Sequence, residues 1–326
     1  MYQKILLIQL RQLGDILLTT PCIRAIKEQS PDSRVYFLAH EMGRKILADN
    51  PYLTETITYH ESMSFKEQLA LMQRIRAEKF DLVIDFMNNP RSALLSFASG
   101  SPKRAIKKSS RSFLYTDTVL SQGVGRYIVE EKMDALSQLG FKRGSINLDF
   151  SWLPEDEEIS TRFFAENPKL AHASLKIVLA PCHRRPLRKW PASSYSRLAD
   201  HLIQELGAEI TWLWGGKEEK AEVEAIAKEC AMPTHLAPDT SFKELAALIA
   251  KHDLFIGNSN GPSHLAVATN LKTLQLHGPT DGRSWSPCNE RHRILQTAKF
   301  SGEALPMDSI PLVDVMAQVR SLIKLS

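Results

Sequence analysis

Short apolar runs alternate with amphipathic stretches along the first half of the chain. Residues 4–10 read Lys-Ile-Leu-Leu-Ile-Gln-Leu, which is typical of a parallel β-strand covered on both faces. The predicted strands are residues 4–10, 34–39, 56–59 and 81–86, and the predicted helices are residues 15–29, 41–48 and 64–78. This alternation predicts a parallel, doubly wound α/β sheet.

The same pattern restarts after an acidic, proline-flanked stretch. Its predicted strands are residues 175–180, 209–214, 254–257 and 273–277, and its predicted helices are residues 193–206, 218–230 and 242–251. We therefore predict a first domain of residues 1–153, a linker of residues 154–174 and a second domain of residues 175–308. A last helix within residues 309–326 is expected to pack back on the first domain. Two such domains predict a ligand cleft between the carboxyl ends of their sheets.

Composition fits this organisation, because 326 residues suit two domains of about 150 each. Lys and Arg number 41 and Asp and Glu 37, so the chain is only mildly basic. No apolar run approaches the roughly 20 residues of a membrane span, and the amino terminus lacks the features of a signal peptide. The four cysteines show no CxxC spacing, which favours reduced thiols in a cytosolic protein.

The first candidate for chemistry follows the first strand, where the chain reads Arg11-Gln12-Leu13-Gly14-Asp15. A glycine allows close backbone approach to a substrate, and the field at a helix start favours an ionised acid. Asp15 would then serve as a base or simply cap the helix, and its position leaves both open. The Gly-x-Gly-x-x-Gly spacing is missing here, which disfavours a nicotinamide-binding protein.

Two further segments follow strands of the second half. Residues 184–189 contain four cations and no acid, which favours a grip on a diphosphate, with a solvated loop as the alternative. Ser259-Asn260-Gly261-Pro262-Ser263-His264 opens a helix with small polar residues, where free amides bind phosphate. His264 has no metal-ligand spacing around it.

A basic cluster in the first half comprises Lys103, Arg104, Lys107, Lys108 and Arg111. It suits an anionic acceptor or a membrane surface, or forms a solvated face. Nucleic acid is disfavoured, because no binding signature accompanies the cluster. No Asp-x-Asp pair stands at a strand end to hold a metal on a sugar nucleotide, so no metal is expected.

Four motifs together resemble glycosyltransferase family 9, the ADP-heptose:lipopolysaccharide heptosyltransferases. They are Leu13-Gly14-Asp15-Ile16-Leu17-Leu18-Thr19-Thr20-Pro21, Lys189-Trp190-Pro191, Gly261-Pro262-Ser263-His264-Leu265-Ala266 and Gly278-Pro279-Thr280. The resemblance implies the GT-B fold, with two Rossmann-like domains: an acceptor domain first, a nucleotide-sugar domain second and catalysis in the cleft between them.

The resemblance also implies roles for individual residues. Asp15 would be the general base in an inverting, metal-independent transfer of heptose from ADP-L-glycero-D-manno-heptose to the inner core of lipopolysaccharide. The acceptor-binding residues would be Arg11, Gly14, Lys103, Arg104, Lys107 and Arg111. The donor phosphates would meet Arg188 or Lys189 together with Gly261, Pro262, Ser263 and His264, and the nucleotide and ribose would meet Glu218 or Glu219 together with Ser259 and Asn260. The protein would be cytoplasmic, in peripheral contact with the inner membrane.

The sequence departs from the family at Ser259-Asn260, where many members have Asp-Thr or Asp-Ser. A carboxylate is lost there, which puts the exact donor sugar in doubt. The alternatives are a related GT-B enzyme with another nucleotide sugar or acceptor, and a non-catalytic protein that binds lipopolysaccharide or a nucleotide sugar. Arg11 and the Leu-Leu-Thr-Thr-Pro run most resemble the subgroup that adds a third heptose.

Overall fold

The structure is a computed structural model that describes residues 2–121, 123, 125–297, 299–300 and 303–324. The chain forms two units, which divide between Ser151 and Trp152. Each unit contains a six-stranded sheet in which all neighbouring strands pair in parallel. No helix in the described part of the chain is long and apolar enough to cross a bilayer.

The first unit alternates strands and helices along the chain. In chain order its elements are β1 (Lys4–Ile8), α1 (Leu13–Leu17), α2 (Thr20–Gln29), β2 (Arg34–His40), α3 (Glu41–Leu47), β3 (Glu55–Tyr59), α4 (Phe65–Ala77), β4 (Leu82–Asp85), α5 (Pro90–Ala98), β5 (Lys103–Lys107), β6 (Asp117–Val119) and α6 (Ile128–Gln138). Their order across the sheet is β3-β2-β1-β4-β5-β6. The direction of winding reverses between β1 and β4, so the loops that leave these two strands meet at the switch point.

Burial explains the composition of β1, the strand at the centre of this sheet. Ile5, Leu6, Leu7 and Ile8 have no exposed surface, because helices cover both faces. A neighbouring helix, α4, is started by Ser64, whose side chain accepts a hydrogen bond from the main-chain N of Glu67 while the Glu67 carboxylate accepts one from Ser64. This capping box satisfies two otherwise unpaired donors.

The second unit has the same winding. In chain order its elements are α7 (Glu158–Glu166), α8 (Pro168–His172), β7 (Lys176–Ala180), α9 (Ala192–Leu206), β8 (Glu209–Trp212), α10 (Gly216–Lys228), β9 (His235–Leu236), α11 (Phe242–Ala250), β10 (Leu254–Asn258), α12 (Gly261–Ala268), β11 (Lys272–His277), β12 (His292–Gln296), β13 (Lys299–Phe300), β14 (Glu303–Ala304) and α13 (Leu312–Ile323). The order β12-β11-β10-β7-β8-β9 places the switch point between β7 and β10.

Several elements differ from the sequence-based predictions. The predicted helix of residues 15–29 is two helices, α1 and α2, with Pro21 in the first turn of the second. The basic cluster forms β5 and the turn after it. Residues 154–174, predicted to be a linker, contain α7 and α8, which contribute buried Phe163 and Leu170 to the second unit.

The last helix also requires a correction. We expected it to pack on the first domain, but Val315, Met316, Val319 and Leu322 of α13 lie in the core of the second unit. They join side chains of α9 and β11, and Lys272 Nζ donates to the Leu322 carbonyl at 2.9 Å. The helical spacing identified the apolar face correctly, but it contains no information about the partner of that face.

Candidate functional site

Asp15 lies in the first turn of α1, after the loop that leaves β1. Gln12 is the N-cap, and its main-chain N donates to Asp15 Oδ2 at 3.2 Å. Within the described part of the chain, this is the one hydrogen bond that the carboxylate accepts. Asp15 therefore does cap the helix, from the third helical position, and the cap occupies one carboxylate oxygen. The other oxygen keeps its capacity to accept a proton.

A buried ammonium group supports this turn. Lys132 of α6 is 6% exposed, and its Nζ donates to the Asp15 carbonyl at 3.1 Å and to Thr19 Oγ1 at 2.5 Å. Burial lowers the pKa of Lys132, and the nearby negative charge of Asp15 opposes that shift. The ammonium also lies 5.4 Å from the ring centre of Phe86. Lys132 thus fixes the main chain at Asp15 and places a positive charge beside it.

Asp85 ends β4, directly across the switch point from Ile8 of β1. It is 2% exposed and accepts hydrogen bonds from the Met87 main-chain N at 2.8 Å, the Asn88 main-chain N at 3.1 Å and the Tyr115 hydroxyl. Burial raises the pKa of Asp85. These bonds shape the loop after β4, which stands at the same edge of the sheet as α1.

The predicted acceptor residues do not form one surface. Lys103 opens β5 at the amino edge of the sheet and lies 3.7 Å from Asp117, whereas Lys107 ends β5 and binds Glu131 at 2.7 Å. Arg104 donates to the carbonyls of Ser101 and Leu114.

The remaining three acceptor candidates lie on the carboxyl side of the sheet. Arg111 donates to the Asn88 carbonyl at 3.3 Å, and Arg11 pairs with Glu61 at 2.5 Å. Gly14 is buried inside α1. Arg11 and Arg111 therefore lie beside loops at the switch-point edge, and Lys103 does not.

Four cations follow β7 in the second unit, and the structure distinguishes the two that were predicted to bind phosphate, Arg188 and Lys189. Lys189 Nζ binds both carboxylate oxygens of Glu222, at 2.8 and 2.7 Å. Arg188 ends a 3₁₀ turn of Pro186–Arg188 and makes no ion pair with any carboxylate among the described residues. Of these two, Arg188 is therefore the cation whose charge is available to a ligand.

Asn258, the last residue of β10, holds the loop that carries these cations. Its Oδ1 accepts from the Trp190 main-chain N at 3.2 Å and from the Tyr195 hydroxyl at 3.3 Å, and its Nδ2 donates to the Pro181 carbonyl at 2.5 Å. Asn258 and Tyr195 have no exposed surface, and Trp190 is 2% exposed. One amide thus joins both loops of the switch point.

The start of α12 is capped by its own side chains. Asn260 Oδ1 accepts from the Ser263 main-chain N at 3.1 Å, Ser263 Oγ accepts from the Asn260 main-chain N at 3.2 Å, and Asn260 Nδ2 donates to the Cys182 carbonyl at 3.0 Å. Gly261 and Pro262 form the first turn that follows, and His264 is buried. The main role of the Asn260 and Ser263 side chains is therefore to shape this turn.

The two glutamates after β8 also differ. Glu219 Oε2 accepts from the Gly215 main-chain N at 2.8 Å, and burial raises the pKa of this carboxyl group. Glu218 is exposed. The main chain of Ser259, in the loop after β10, forms a hydrogen bond with the His183 side chain. Glu219 is thus the glutamate that the local fold holds in place.

His277 ends β11 and was not among the predicted site residues. It is 1% exposed, and neither ring nitrogen has a hydrogen-bond partner in the described part of the chain. Burial, followed by the neighbouring His264 and Arg188, lowers its pKa to about 4, so the ring is neutral at pH 7. The next residue is Gly278, where a Cβ would lie only 2.8 Å from the Leu187 carbonyl oxygen. The loop that contains residues 184–189 therefore packs closely against the end of β11.

A family model supplies the identification. The model of glycosyltransferase family 9 (heptosyltransferase) matches residues 68–305. The chain belongs to this family. It is therefore a glycosyltransferase.

Relatives extend the likeness of this family 9 enzyme to the segment around Asp15, which precedes the matched range. The chain is 28% identical to lipopolysaccharide heptosyltransferase 3 of Escherichia coli K12 over 347 aligned positions, which cover 96% of each chain. It is 24% identical to lipopolysaccharide heptosyltransferase 2 of the same strain, over 90% of this chain and 88% of the relative.

Solved structures of the family share the fold. A family 9 glycosyl transferase from Veillonella parvula superposes with a TM-score of 0.86 at 20% identity, covering 100% of this chain and 98% of the other. The E. coli heptosyltransferase WaaC with ADP superposes with a TM-score of 0.77 at 18% identity, covering 98% and 100%. The predicted GT-B fold of two Rossmann-like domains is confirmed.

Residues of the family 9 enzyme that shape these sites and were not predicted from the sequence include Asp85, Lys132, Asn258 and His277. The buried position of Lys132 could have been predicted from the sequence. It stands three residues after Val129 and four before Leu136, which places it on the buried face of α6. For Asn258 and His277, the only sequence evidence for a role in the site was their position at the end of a strand. In the described part of the chain, no three His, Cys, Asp or Glu side chains form a group that could hold a metal ion.

Proposed function

We propose that this chain transfers heptose from ADP-L-glycero-D-manno-heptose to the inner core of lipopolysaccharide, inverting the anomeric configuration without a metal. The observation that carries the proposal is the state of Asp15, a partly buried carboxylate with one oxygen in a helix cap and a buried ammonium behind it. The lipopolysaccharide heptosyltransferases of E. coli support the choice of sugar and acceptor.

In the proposed reaction, Asp15 accepts the proton of an acceptor hydroxyl. The oxygen attacks the anomeric carbon, and the bond from that carbon to the β-phosphate oxygen breaks as ADP leaves. A positioned base of this kind contributes about 100- to 10,000-fold to a rate. Lys132 maintains the geometry of this turn by binding the Asp15 carbonyl.

Negative charge develops on the departing diphosphate, and Arg188 is the residue proposed to meet it. Its guanidinium is not paired with a described carboxylate, whereas Lys189 is held by Glu222. The main-chain amide of Gly261, in the first turn of α12, adds a donor that favours phosphate. Glu219 is the proposed partner of the ribose hydroxyls, since the fold already orients it.

The acceptor is a lipid-anchored saccharide, so the proposal has the enzyme work from the cytoplasm in peripheral contact with the inner membrane. Arg11 and Arg111 are the proposed acceptor contacts among the basic residues, because they lie beside loops at the switch-point edge. Lys103 is not part of this contact set, since it stands at the opposite edge of the sheet.

Mass spectrometry of a truncated core acceptor tests the reaction. Incubation with ADP-heptose in the presence of EDTA is expected to add one heptose, and replacement of the donor by UDP- or GDP-sugars is expected to add none. Transfer that disappears with EDTA and returns with Mg²⁺ or Mn²⁺ would overturn the metal-independent form of the proposal.

Asp15→Asn separates the base from the cap. The asparagine Oδ1 still accepts a hydrogen bond from Gln12, so the helix start is retained, but the side chain no longer accepts a proton. We expect kcat to fall at least about 100-fold with ADP affinity unchanged by calorimetry. Asp32→Asn, at an exposed carboxylate of the same unit, serves as the matched control. Full activity in Asp15→Asn would leave the residue as a cap only.

A further inference from the structure

Helices α4 and α5 lie side by side in the first unit and expose large apolar side chains. Phe65 and Leu69 of α4 are 84% and 45% exposed, and Leu94 and Phe97 of α5 are 49% and 54% exposed. Single exposed apolar residues are normal on a protein surface, but four on two adjacent helices form a patch that indicates an interaction. We call this patch the α4–α5 face.

A groove runs between the two helices beneath this face. Its volume is about 510 Å³, and its apolar walls come from Leu71 and Met72 of α4 and from Leu94 and Leu95 of α5. The guanidinium of Arg91 lies at its edge, 5.1 Å from the ring centre of Tyr59. The face therefore combines apolar depth with a cation at the rim.

Four cations surround the face: Lys66, Arg76, Arg91 and Arg104. None of them makes an ion pair with a carboxylate among the described residues, and the Arg104 guanidinium lies 5.7 Å from the ring centre of Phe97. The Arg76 guanidinium extends from α4 to Gly100, just after the end of α5. A Cβ built on Gly100 would lie 2.7 Å from Arg76 Nη1.

Three other cations of the same unit are paired with carboxylates. Arg11, Arg74 and Lys107 pair with Glu61, Glu55 and Glu131. The acid on α4 itself points elsewhere, because Glu67 stands about 200° around the helix from Phe65 and its carboxylate binds Ser64. Lys66, Arg76, Arg91 and Arg104 thus add positive charge around the exposed apolar side chains.

We propose that the α4–α5 face docks on the surface of an anionic phospholipid bilayer. Aromatic and leucine side chains enter the headgroup region, while arginine and lysine keep their apolar stems against the protein and their charges at the lipid phosphates. The inference deepens the proposed function, since a lipid-anchored acceptor is reached at such a surface. The sequence had offered the basic cluster of Lys103, Arg104, Lys107, Lys108 and Arg111 as one option for a membrane contact, and of that cluster only Arg104 belongs to the proposed face.

Co-sedimentation with vesicles tests the docking surface. The full chain is expected to bind vesicles of equal parts phosphatidylglycerol and phosphatidylcholine, and to remain in solution with phosphatidylcholine alone. The double variant Phe65→Ser with Leu94→Ser is expected to lose binding, whereas Val313→Ser, at a 70% exposed apolar residue of the second unit, is expected to bind like the wild type. Circular dichroism of each variant verifies the fold.

A second double variant, Lys66→Gln with Arg91→Gln, tests the contribution of positive charge to vesicle binding. Removal of two cations near an anionic surface is expected to lower the partition coefficient about 30-fold, and added salt is expected to weaken wild-type binding. Wild-type binding to both vesicle types alike, or binding unchanged in the Phe65/Leu94 variant, would overturn the proposal. A dimer that the Phe65/Leu94 variant abolishes would also overturn it, by assigning the face to a second copy of the chain.

Two acceptors separate this inference from the proposed function. The Phe65/Leu94 variant is expected to keep wild-type transfer to a deacylated, water-soluble core acceptor and to lose at least about tenfold with the acceptor embedded in vesicles. If the wild type fails on the soluble acceptor, the proposed function fails while the vesicle assay still decides the docking surface. Equal loss on both acceptors would contradict a membrane role for the face.

Discussion

Asn258→Ala is expected to destabilise the second unit strongly, because one buried amide serves three partners. The substitution removes the acceptor for the Trp190 main-chain N and the Tyr195 hydroxyl and the donor to the Pro181 carbonyl. Asn258 and Tyr195 are fully buried and Trp190 almost so, so these groups do not turn to bulk water instead.

The magnitude follows from the cost of leaving buried polar groups unpaired. Each such group costs about 1–3 kcal/mol, and a water that enters the space left by the amide would recover part of that cost. We expect a net loss of about 3 kcal/mol, a large part of the stability of a typical domain. For a unit of this size, that loss corresponds to a melting temperature lower by about 6–12 °C.

Tryptophan fluorescence is a selective assay for this effect. All five tryptophans, at positions 152, 190, 212, 214 and 285, belong to the second unit, so urea unfolding followed at their emission reports that unit alone. Gln204→Ala, on the exposed surface of α9, is the matched control and is expected to change stability by less than about 0.5 kcal/mol. An Asn258→Ala curve that overlaps the control would refute the reasoning.

Further predictions concern pH and the proposed donor contacts. Burial lowers the pKa of His252 to about 4, while its ring binds the Leu248 carbonyl and Thr211 Oγ1. A lowered folded-state pKa means that this stability is present above the ordinary value of 6.5 and is lost as the pH falls through about 4. Unfolding free energies at about pH 7 and pH 4.5 should therefore differ by about 2 kcal/mol more in the wild type than in His252→Gln. Arg188→Met is expected to weaken ADP binding about 10- to 100-fold by calorimetry, since it removes hydrogen bonds from a charged donor. Lys189→Met is expected to weaken it less, and equal losses would show that the ion pair with Glu222 opens for the donor.

The sequence predicted those strands and helices that depend on short-range patterns of apolar and polar residues. The apolar run of residues 4–10 is β1 with a shorter carboxyl end, and the predicted helix of residues 193–206 matches α9 almost fully, since Gly207 ends it with a positive φ of 64°. Asp15 was placed on the correct turn. Its position as third residue of the helix was missed, because α1 begins with Leu13 and Gly14 rather than at the acid.

Features that depend on distant partners were not predictable. The periodicity of α13 gave its apolar face, but only the folded chain shows α9 and β11 against it. Strand β5 was missed since its alternation is short and interrupted by cations. The contact of Lys132 with Asp15 joins residues 117 positions apart, and the contact of Asn258 with Pro181 joins residues 77 apart. Charge composition alone also grouped Lys103 with Arg111, although the strand separates them.

The shared winding of the two sheets has a consequence for protein engineering. In each unit the first and fourth strands flank the switch point, so the loops after β1 and β4 correspond by topology to those after β7 and β10. Each sheet draws its strands from one side of the division at Ser151 and Trp152. A fusion point at that division would keep both sheets whole, which makes it the natural crossover for recombining first and second units from different family 9 enzymes. If the second unit binds the donor as proposed, exchange of that unit would change the donor contacts while leaving the turn that carries Asp15 untouched.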